Sequence, residues 1–387
     1  MKISWLLHLH QPSFQDPEVV ASISNSSYRP LLAILQRHPA FHVTLDISGT
    51  LIKWWSDSPE YADILNSLRE LIGRGQVEVT GGGWCHPVLP LLPEAEIKRQ
   101  IELQEDCLRH NGLCHVSPKG RLRGFFPPEL AINDTVICIL NEKKYDWVLV
   151  DEVAALGKSH FLSLPSTATK VIVRDRGASL AVAFGYAQNI AGFKNLIDAY
   201  GRFSDQLVLA LDGETFGHHW TEGVNFLEAV AALNYEYLTI SELASVVDFT
   251  ATTAIAECSW GTTDAGLKAG VLYPHWQREG NAIHALQWEL IGLAINVVEK
   301  SELIRNGIRI NPNLEIDKNR SLLDRALNSD QFWWASRDPY WSPDMVQRGA
   351  ELLLSVVGST NDGIAKVKAQ DIYNKIVNLL DSGSSPE

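Results

Sequence analysis

A chain of 387 residues, of which 45% are apolar and 20% charged, can bury a sizeable core as one large globular domain or two. Its net charge of −13 argues against a nucleic acid or an anionic membrane as partner, because both favour a basic protein surface. No apolar run reaches the roughly 18 residues of a membrane span, and the N-terminal MKISWLLHLHQPSF, interrupted by histidines, indicates a strand rather than a signal peptide. We therefore expect a soluble, cytoplasmic protein.

Strands alternate with helices through the first half of the chain. Apolar runs with strand character occupy seven segments, residues 3–10, 42–48, 76–82, 122–126, 147–151, 170–174 and 207–212. Helical patterns lie between many of them, for example at residues 61–72, 94–109 and 131–140. Because strands joined through helices pair in parallel, this order predicts an α/β barrel or a doubly wound sheet.

Polar side chains at the ends of these strands favour the barrel. Barrel enzymes assemble their sites at the carboxyl ends of the strands. The glycines at 81–83 follow a strand but lack the GxGxxG spacing, so a dinucleotide-binding sheet is disfavoured. The strand-end groups are His8, His10, Asp46, Gly81 to Trp84, Glu129, Asp151, Glu152, Asp175 and Asp212.

Two strand ends carry carboxylates in a setting that suits catalysis. The strand at 122–126 is followed by two prolines, which stop a helix, and then by Glu129. Paired carboxylates on separate strands suit glycoside hydrolysis, in which one protonates the leaving oxygen and the other attacks the sugar or activates water. The strand at 207–212 runs into four polar side chains, Asp212, Glu214, His218 and His219.

The pattern becomes helical after about residue 260. Helices are predicted at residues 281–299, 321–327, 345–357 and 366–380. The segments SDQFWW, residues 329–334, and DPYW, residues 338–341, form an aromatic cluster. Flat aromatic faces stack on sugars, although core packing is an equally good interpretation of Trp333 and Trp334.

The cysteines and histidines predict no metal site and no cofactor. Five cysteines, an odd count without a CxxC pair, indicate reduced thiols in a cytoplasm. Cys107, Cys114 and His115 match no common zinc spacing. His218 and His219 are adjacent, and neighbouring residues rarely bind one ion together.

Five separated blocks resemble glycoside hydrolase family 57, whose members are retaining enzymes that act on α-glucans. They are HQP from His10, GQVEVTGG from Gly75, GFFPPEL from Gly124, LDGETFG from Leu211 and SDQFWW from Ser329. The resemblance implies an incomplete (β/α)7 barrel over residues 1–262. It also implies a helical domain over residues 263–387 that contributes to the active site.

The same resemblance implies a role for each matching residue. Glu129 is the expected nucleophile and Asp212 the expected general acid/base, which gives a covalent glycosyl-enzyme and retention of configuration. Their carboxyl groups are then expected about 5 to 5.5 Å apart. The expected substrate-binding residues are His10, Glu78, Trp84, Phe126, His219, Asp330 and Trp333.

Departures from the family pattern leave the substrate open. Three positions differ from the family pattern: Ser13 follows HQP, Phe126 stands where Trp is common, and His219 lies seven residues after Asp212. These positions shape the sugar subsites in the family. The sequence does not decide between hydrolysis and transfer to another sugar. It also leaves open the glycosidic linkage and chain length of the substrate, the oligomeric state, and whether His8, Glu214 and His218 contact the substrate. The alternatives are a metal-dependent polysaccharide deacetylase and a non-catalytic carbohydrate-binding protein.

Overall fold

The computed structural model describes residues 1–114, 121–307, 318–337 and 340–382, with residues 303–307 described by their backbone alone. The chain forms two compact units. The first comprises Met1–Trp84 and Leu89–Trp260, and the second comprises Cys85–Val88 and the described part of Gly261–Glu387. No sequence pattern indicated that Cys85–Val88 would belong to the second unit.

Parallel strands form the centre of the first unit. The strands are β1 (Lys2–Leu9), β2 (Val43–Ile47), β3 (Val77–Val79), β4 (Gly124–Phe125), β5 (Trp147–Val150), β6 (Phe161–Ser163), β7 (Lys170–Val173), β8 (Gln206–Asp212), β9 (Glu236–Tyr237) and β10 (Thr250–Ala251). One sheet has the order β3-β2-β1-β8, with β9 also on β1, and the other has the order β10-β6-β7-β5-β4. Every pairing is parallel except the antiparallel pairing of β6 with β7, an exception that the sequence did not predict.

The two sheets are hydrogen-bonded to each other at two places. Between β3 and β4, Gly81 donates its N–H to the carbonyl of Gly124 and accepts from Phe126, each at 2.9 Å. Between β7 and β8, Asp175 and Val208 exchange two bonds of 2.8 Å, one of which uses the Asp175 carboxylate. The seven predicted strands are confirmed, each ending within a few residues of its predicted bounds.

Nearly continuous burial explains why these strands have apolar sequences throughout. Every residue of β2 and β5 is buried, as is typical of parallel sheets covered by helices. A core inside the first unit includes Leu6, Leu149, Ile172 and Ala210 from four strands. The helices of this unit are α1 (Pro17–Ile23), α2 (Arg29–Arg37), α3 (Gly49–Asp57), α4 (Ala62–Gly73), α5 (Glu94–His110), α6 (Asp134–Glu142), α7 (Arg176–Phe184), α8 (Ile190–Tyr200), α9 (Gly223–Ala231) and α10 (Ile240–Ala244).

The second unit is helical, as predicted. In it, the half-buried Trp288 ring stacks on the buried ring of Phe332, with 4.5 Å between the ring centroids. Within the described ranges, no helix is long and apolar enough to cross a membrane. The helices are α11 (Asp264–Ala269), α12 (Ala282–Gly307), α13 (Lys318–Ala326), α14 (Asp330–Trp333), α15 (Pro343–Gly358) and α16 (Gly363–Asp381).

Candidate active site

Three polar residues stand side by side at the carboxyl ends of β2, β1 and β8. The register pairs His8 of β1 with Asp46 of β2 on one side and with Asp212 of β8 on the other. Paired residues on neighbouring strands point to the same face of a sheet, so the three side chains share a face. This row of Asp46, His8 and Asp212 is the polar centre of the candidate site.

His8 is a buried cation. Its Nδ1 lies 2.7 Å from Oδ2 of Asp46, whose other oxygen accepts a bond of 3.0 Å from the Thr80 hydroxyl. Burial alone lowers the pKa of His8, but the hydrogen bond and charge of Asp46, with the charges of Asp212 and Glu214, raise it to about 9. The imidazole is therefore protonated at neutral pH.

Aromatic rings surround the His8 side chain. The ring of Phe126 stacks on it at 5.1 Å and that of His10 at 5.8 Å, while Trp260 meets it edge-on at 6.2 Å. His10 Nδ1 also lies 2.8 Å from the Ser48 hydroxyl at the start of α3. Two residues predicted to bind sugar, His10 and Phe126, thus lie against the charged histidine.

Glu129 occupies a turn just after β4 and has a left-handed backbone. Its φ is 62°, and that of Leu130 is 47°, in a region where residues other than glycine are uncommon. Such conformations cost about 1 to 3 kcal/mol each and persist where the surroundings enforce them, often at functional sites. The Glu129 carbonyl accepts a bond of 2.9 Å from the N–H of Trp260. The residue is buried, with 6% of its surface exposed.

Glu214 is held by hydrogen bonds two residues after Asp212. Its Oε1 accepts from the Tyr28 hydroxyl and, at 3.1 Å, from the backbone N–H of His10. Burial and the negative charge of Asp212 raise the pKa of Glu214. These contacts tie the end of β8 to the HQP segment, so they explain Glu214 as an anchoring residue.

Glu78 faces the interior from β3, one layer deeper than the row of Asp46, His8 and Asp212. Its carboxylate accepts bonds from Thr44, at 3.1 Å, and from the backbone N–H and hydroxyl of Ser241. Burial raises its pKa. Substrate binding by Glu78 stays a prediction, and its observed partners are structural.

A family model described as glycosyl hydrolase family 57 matches residues 6–255 of this chain. The chain belongs to glycosyl hydrolase family 57. The match includes His8, Glu129 and Asp212.

Curated relatives match part of this family 57 chain. An α-amylase of Pyrococcus horikoshii is 30% identical over 158 residues, and a 4-α-glucanotransferase of Thermococcus litoralis is 32% identical over 158 residues. Each alignment covers 41% of this chain and 22% of the relative. The sequence alignments therefore span about a fifth of the length of each of these relatives.

Solved structures share the fold. The 4-α-glucanotransferase of Thermococcus litoralis superposes with a TM-score of 0.68 at 20% identity, covering 92% of this chain and 58% of that one. A family 57 branching enzyme of Thermococcus kodakaraensis gives 0.71 at 16% identity, covering 98% and 95%. At these identities the likeness concerns the fold alone.

Two other residues of this family 57 chain that were predicted to bind sugar are Trp84 and His219. Trp84 packs against the start of α3, where a Cβ on Gly49 would stand 2.0 Å from its ring. His219 is exposed, and its N–H donates to the carbonyl of Glu214 at 3.0 Å. Their substrate contacts stay predictions.

Asp330 and Trp333 belong to α14 of the second unit. The Trp333 ring contacts His275 at 4.8 Å, Trp276 at 5.9 Å and Tyr340 at 6.0 Å. Trp333 therefore packs in an aromatic cluster, and its predicted role in binding sugar is untested. Asp338 and Pro339 lie outside the described residues.

Sequence reasoning missed one residue of the site, Trp260, and the pairing of another, Asp46. Asp46 was among the groups expected at the strand ends, but nothing in the sequence marked it as the partner of His8. Trp260 follows no strand or helix pattern, so only its contacts identify it. Among the described residues, no group of three His, Cys, Asp or Glu side chains could hold a metal ion, and His115 lies outside them.

Proposed function

We propose that this chain is a retaining glycosidase or transglycosylase that acts on α-glucans or related oligosaccharides. One observation carries the proposal. His8 is in register with Asp212, and its ring stacks on Phe126, three residues before Glu129, so the segments bearing both carboxylates meet at one cation. The names of the relatives, α-amylase and 4-α-glucanotransferase, support an α-glucan as substrate.

The reaction proceeds by two displacements. Glu129 attacks the anomeric carbon while Asp212 protonates the glycosidic oxygen, which forms a glycosyl-enzyme and releases the leaving sugar. Asp212 then takes a proton from water or from a sugar hydroxyl, whose oxygen displaces Glu129. The His8 cation offsets part of the negative charge of Asp46 throughout, and that of Asp212 in the interval after Asp212 has given up its proton.

The architecture that we propose for this reaction is an incomplete (β/α)7 barrel over residues 1–262. The hydrogen bonds that join the two sheets at β3 with β4 and at β7 with β8 support it. The helical domain over residues 263–387 is proposed to contribute to the active site through Asp330 and Trp333.

Product stereochemistry tests the two displacements. Proton NMR of the first product from an α-linked maltooligosaccharide should show the α anomer before mutarotation, because two inversions restore the configuration. Early β product would replace this mechanism with a single displacement, in which Glu129 acts as a general base. An inverting site would also hold its carboxyl groups roughly 6.5 to 9.5 Å apart.

A substrate panel tests the function itself. Maltooligosaccharides and glycogen are incubated with the full chain, and the products are resolved by size. Products longer than the substrate indicate transfer, and exclusively shorter ones indicate hydrolysis. Activity on these glucans should survive EDTA. Deacetylation that EDTA abolishes would favour the deacetylase, and binding without any product would favour a carbohydrate-binding protein.

A further inference from the structure

A buried ion cluster lies in the first unit, on segments that follow β5 and β7. Asp151 follows β5 and is fully buried, with its Oδ2 2.8 Å from Nε of Arg174 and its Oδ1 2.9 Å from Nη2 of Arg176. Both arginines follow β7. Removing charged groups from water costs free energy, and hydrophobic residues of similar volume in their place often make a protein equally or more stable. Stability alone is therefore a weak reason for three charges at this position.

The cluster is connected to Trp260 by two contacts. Arg176 donates from Nη2 to the Trp260 carbonyl at 2.8 Å. The guanidinium of Arg174 lies 5.6 Å from the centre of the Trp260 ring, which is a cation–π arrangement. Asp151 orients both arginines, so one carboxylate governs both contacts.

Trp260 in turn is connected to the predicted nucleophile. Its N–H donates to the Glu129 carbonyl at 2.9 Å, so its two backbone polar groups join Arg176 on one side to Glu129 on the other. Next to it, Ile132 and Cys258 exchange backbone hydrogen bonds of 2.9 and 3.2 Å. The segment from 258 to 260 thus supports the turn that holds Glu129.

That turn needs support, because two successive residues, Glu129 and Leu130, have positive φ. Strained conformations relax unless neighbouring groups prevent it. A shift of about 1 Å in a reacting group can cost on the order of a hundredfold in rate.

We propose that Asp151 and Arg176 are positioning residues that act through Trp260 to fix the Glu129 carboxylate for attack on the anomeric carbon. The inference rests on the proposed function. Neither residue touches the substrate in this scheme, and each acts by restraining the backbone of Glu129.

Kinetics of Arg176→Gln and Arg176→Lys test the proposal. We expect Arg176→Gln to lower kcat at least tenfold, with KM within about twofold of wild type, because attack is impaired while sugar binding is kept. Arg176→Lys keeps the positive charge and one hydrogen-bond donor but lacks the planar guanidinium that can bind two partners at once. Its kcat should therefore lie between those of wild type and Arg176→Gln. Asp151→Asn should resemble Arg176→Gln. The matched control is Arg29→Gln, which removes an exposed ion pair with Asp63 and should leave kcat unchanged.

Leaving-group dependence separates positioning of the nucleophile from other defects. A 4-nitrophenyl maltoside needs little acid assistance, so it should partly restore the first-turnover rate of Asp212→Asn. It should not restore Arg176→Gln, because attack by Glu129 is required for both leaving groups.

Three results would overturn the inference. They are an Arg176→Gln variant with wild-type kcat, a loss confined to KM, and a loss that disappears with the activated substrate. Thermal unfolding of each variant identifies misfolding, and Arg176→Lys then carries the test. A wild-type chain inactive on every glucan would refute the proposed function instead, before any variant is compared.

Discussion

His8 carries a positive charge in a buried setting because three acidic neighbours favour the charged form. Burial is the largest single effect on its pKa and lowers it, but the 2.7 Å hydrogen bond and the charge of Asp46, together with the charges of Asp212 and Glu214, outweigh burial. A charged histidine between two aspartates distinguishes this site from a pair of carboxylates alone. Its charge should therefore be visible in the stability of the protein.

We predict that the free energy of unfolding decreases as the pH rises through the range in which His8 loses its proton. Its folded-state pKa, about 9, exceeds the usual unfolded value, so the charged form stabilises the fold fully below about pH 6.5. This contribution, about 3 kcal/mol, is lost as the pH rises through 9. Urea unfolding at successive pH values measures it. Asp46→Asn should reduce this pH dependence of stability, whereas Asp63→Asn, a control at an exposed residue, should retain it. An Asp46→Asn variant with the same pH dependence as wild type would contradict the role given to His8.

Glu129→Gln should abolish turnover without unfolding the protein. The amide keeps the size of the side chain and removes the attacking charge. We expect less than about a hundredth of the wild-type rate, measured on maltooligosaccharides, with an unchanged unfolding temperature. Glu222→Gln, at an exposed residue, is the control. A rate above that limit would argue against a nucleophile at this position.

At the scale of elements, side chains replace strand pairing along one edge of β8. Asp175 accepts from the N–H of Val208 at 2.8 Å, the Ser179 hydroxyl accepts from that of Ala210 at 3.1 Å, and Arg174 donates to the Ala210 carbonyl at 3.0 Å. Backbone polar groups of a buried strand need partners, and here the loop after β7 and helix α7 provide them. The same strand ends at Asp212, so its position depends on these bonds.

We predict that Asp175→Ala destabilises the protein by about 1 to 3 kcal/mol, because it leaves a buried N–H without its acceptor. Asp175→Asn keeps an oxygen at that position and should cost less. Urea unfolding at neutral pH measures both, and Asp205→Ala removes an exposed carboxylate as the control. Equal stabilities of the alanine and asparagine variants would show that the oxygen does not hold β8.

At the scale of the whole molecule, the chain comprises two units whose sequences interleave. Cys85–Val88 belongs to the second unit although it lies within the sequence of the first. Inside the second unit, His86 and Ser329 pair through Nδ1 and Oγ at 2.9 Å, and Ser329 donates its N–H to the carbonyl of His86 at 3.0 Å. The segment that carries Asp330 is thus tied to a loop that follows β3 in the sequence.

Deleting the residues after 262 should abolish activity, because Asp330 and Trp333 are proposed to contribute to the site. The assay is glucan cleavage, with circular dichroism to show whether the shortened chain folds. Since deletion also removes the partners of Cys85–Val88, Trp333→Ala in the full chain is the companion variant, and we expect at least a tenfold loss from it. A shortened chain with normal activity would show that the helical domain is dispensable, and a Trp333→Ala variant with normal activity would contradict the proposed role of Trp333.

The sequence determined the strands, the later helices and the two strand ends that carry Glu129 and Asp212. These features are local, because a buried parallel strand requires a continuous apolar run and a helix requires its own periodicity. The resemblance to the family was also visible in the sequence, because it rests on five short motifs and on their order along the chain. Element types and the polar residues that follow them could therefore be predicted.

Only the tertiary structure decided which of those residues meet. Asp46 pairs with His8 through strand register, Trp260 reaches Glu129 from another part of the chain, and Glu78 bonds to the start of α10. Each contact joins residues at least 38 positions apart, where no local pattern carries information. Charge and burial at a site depend on such neighbours, so the sequence identified candidate groups and the folded chain decided their partners, their protonation and their support.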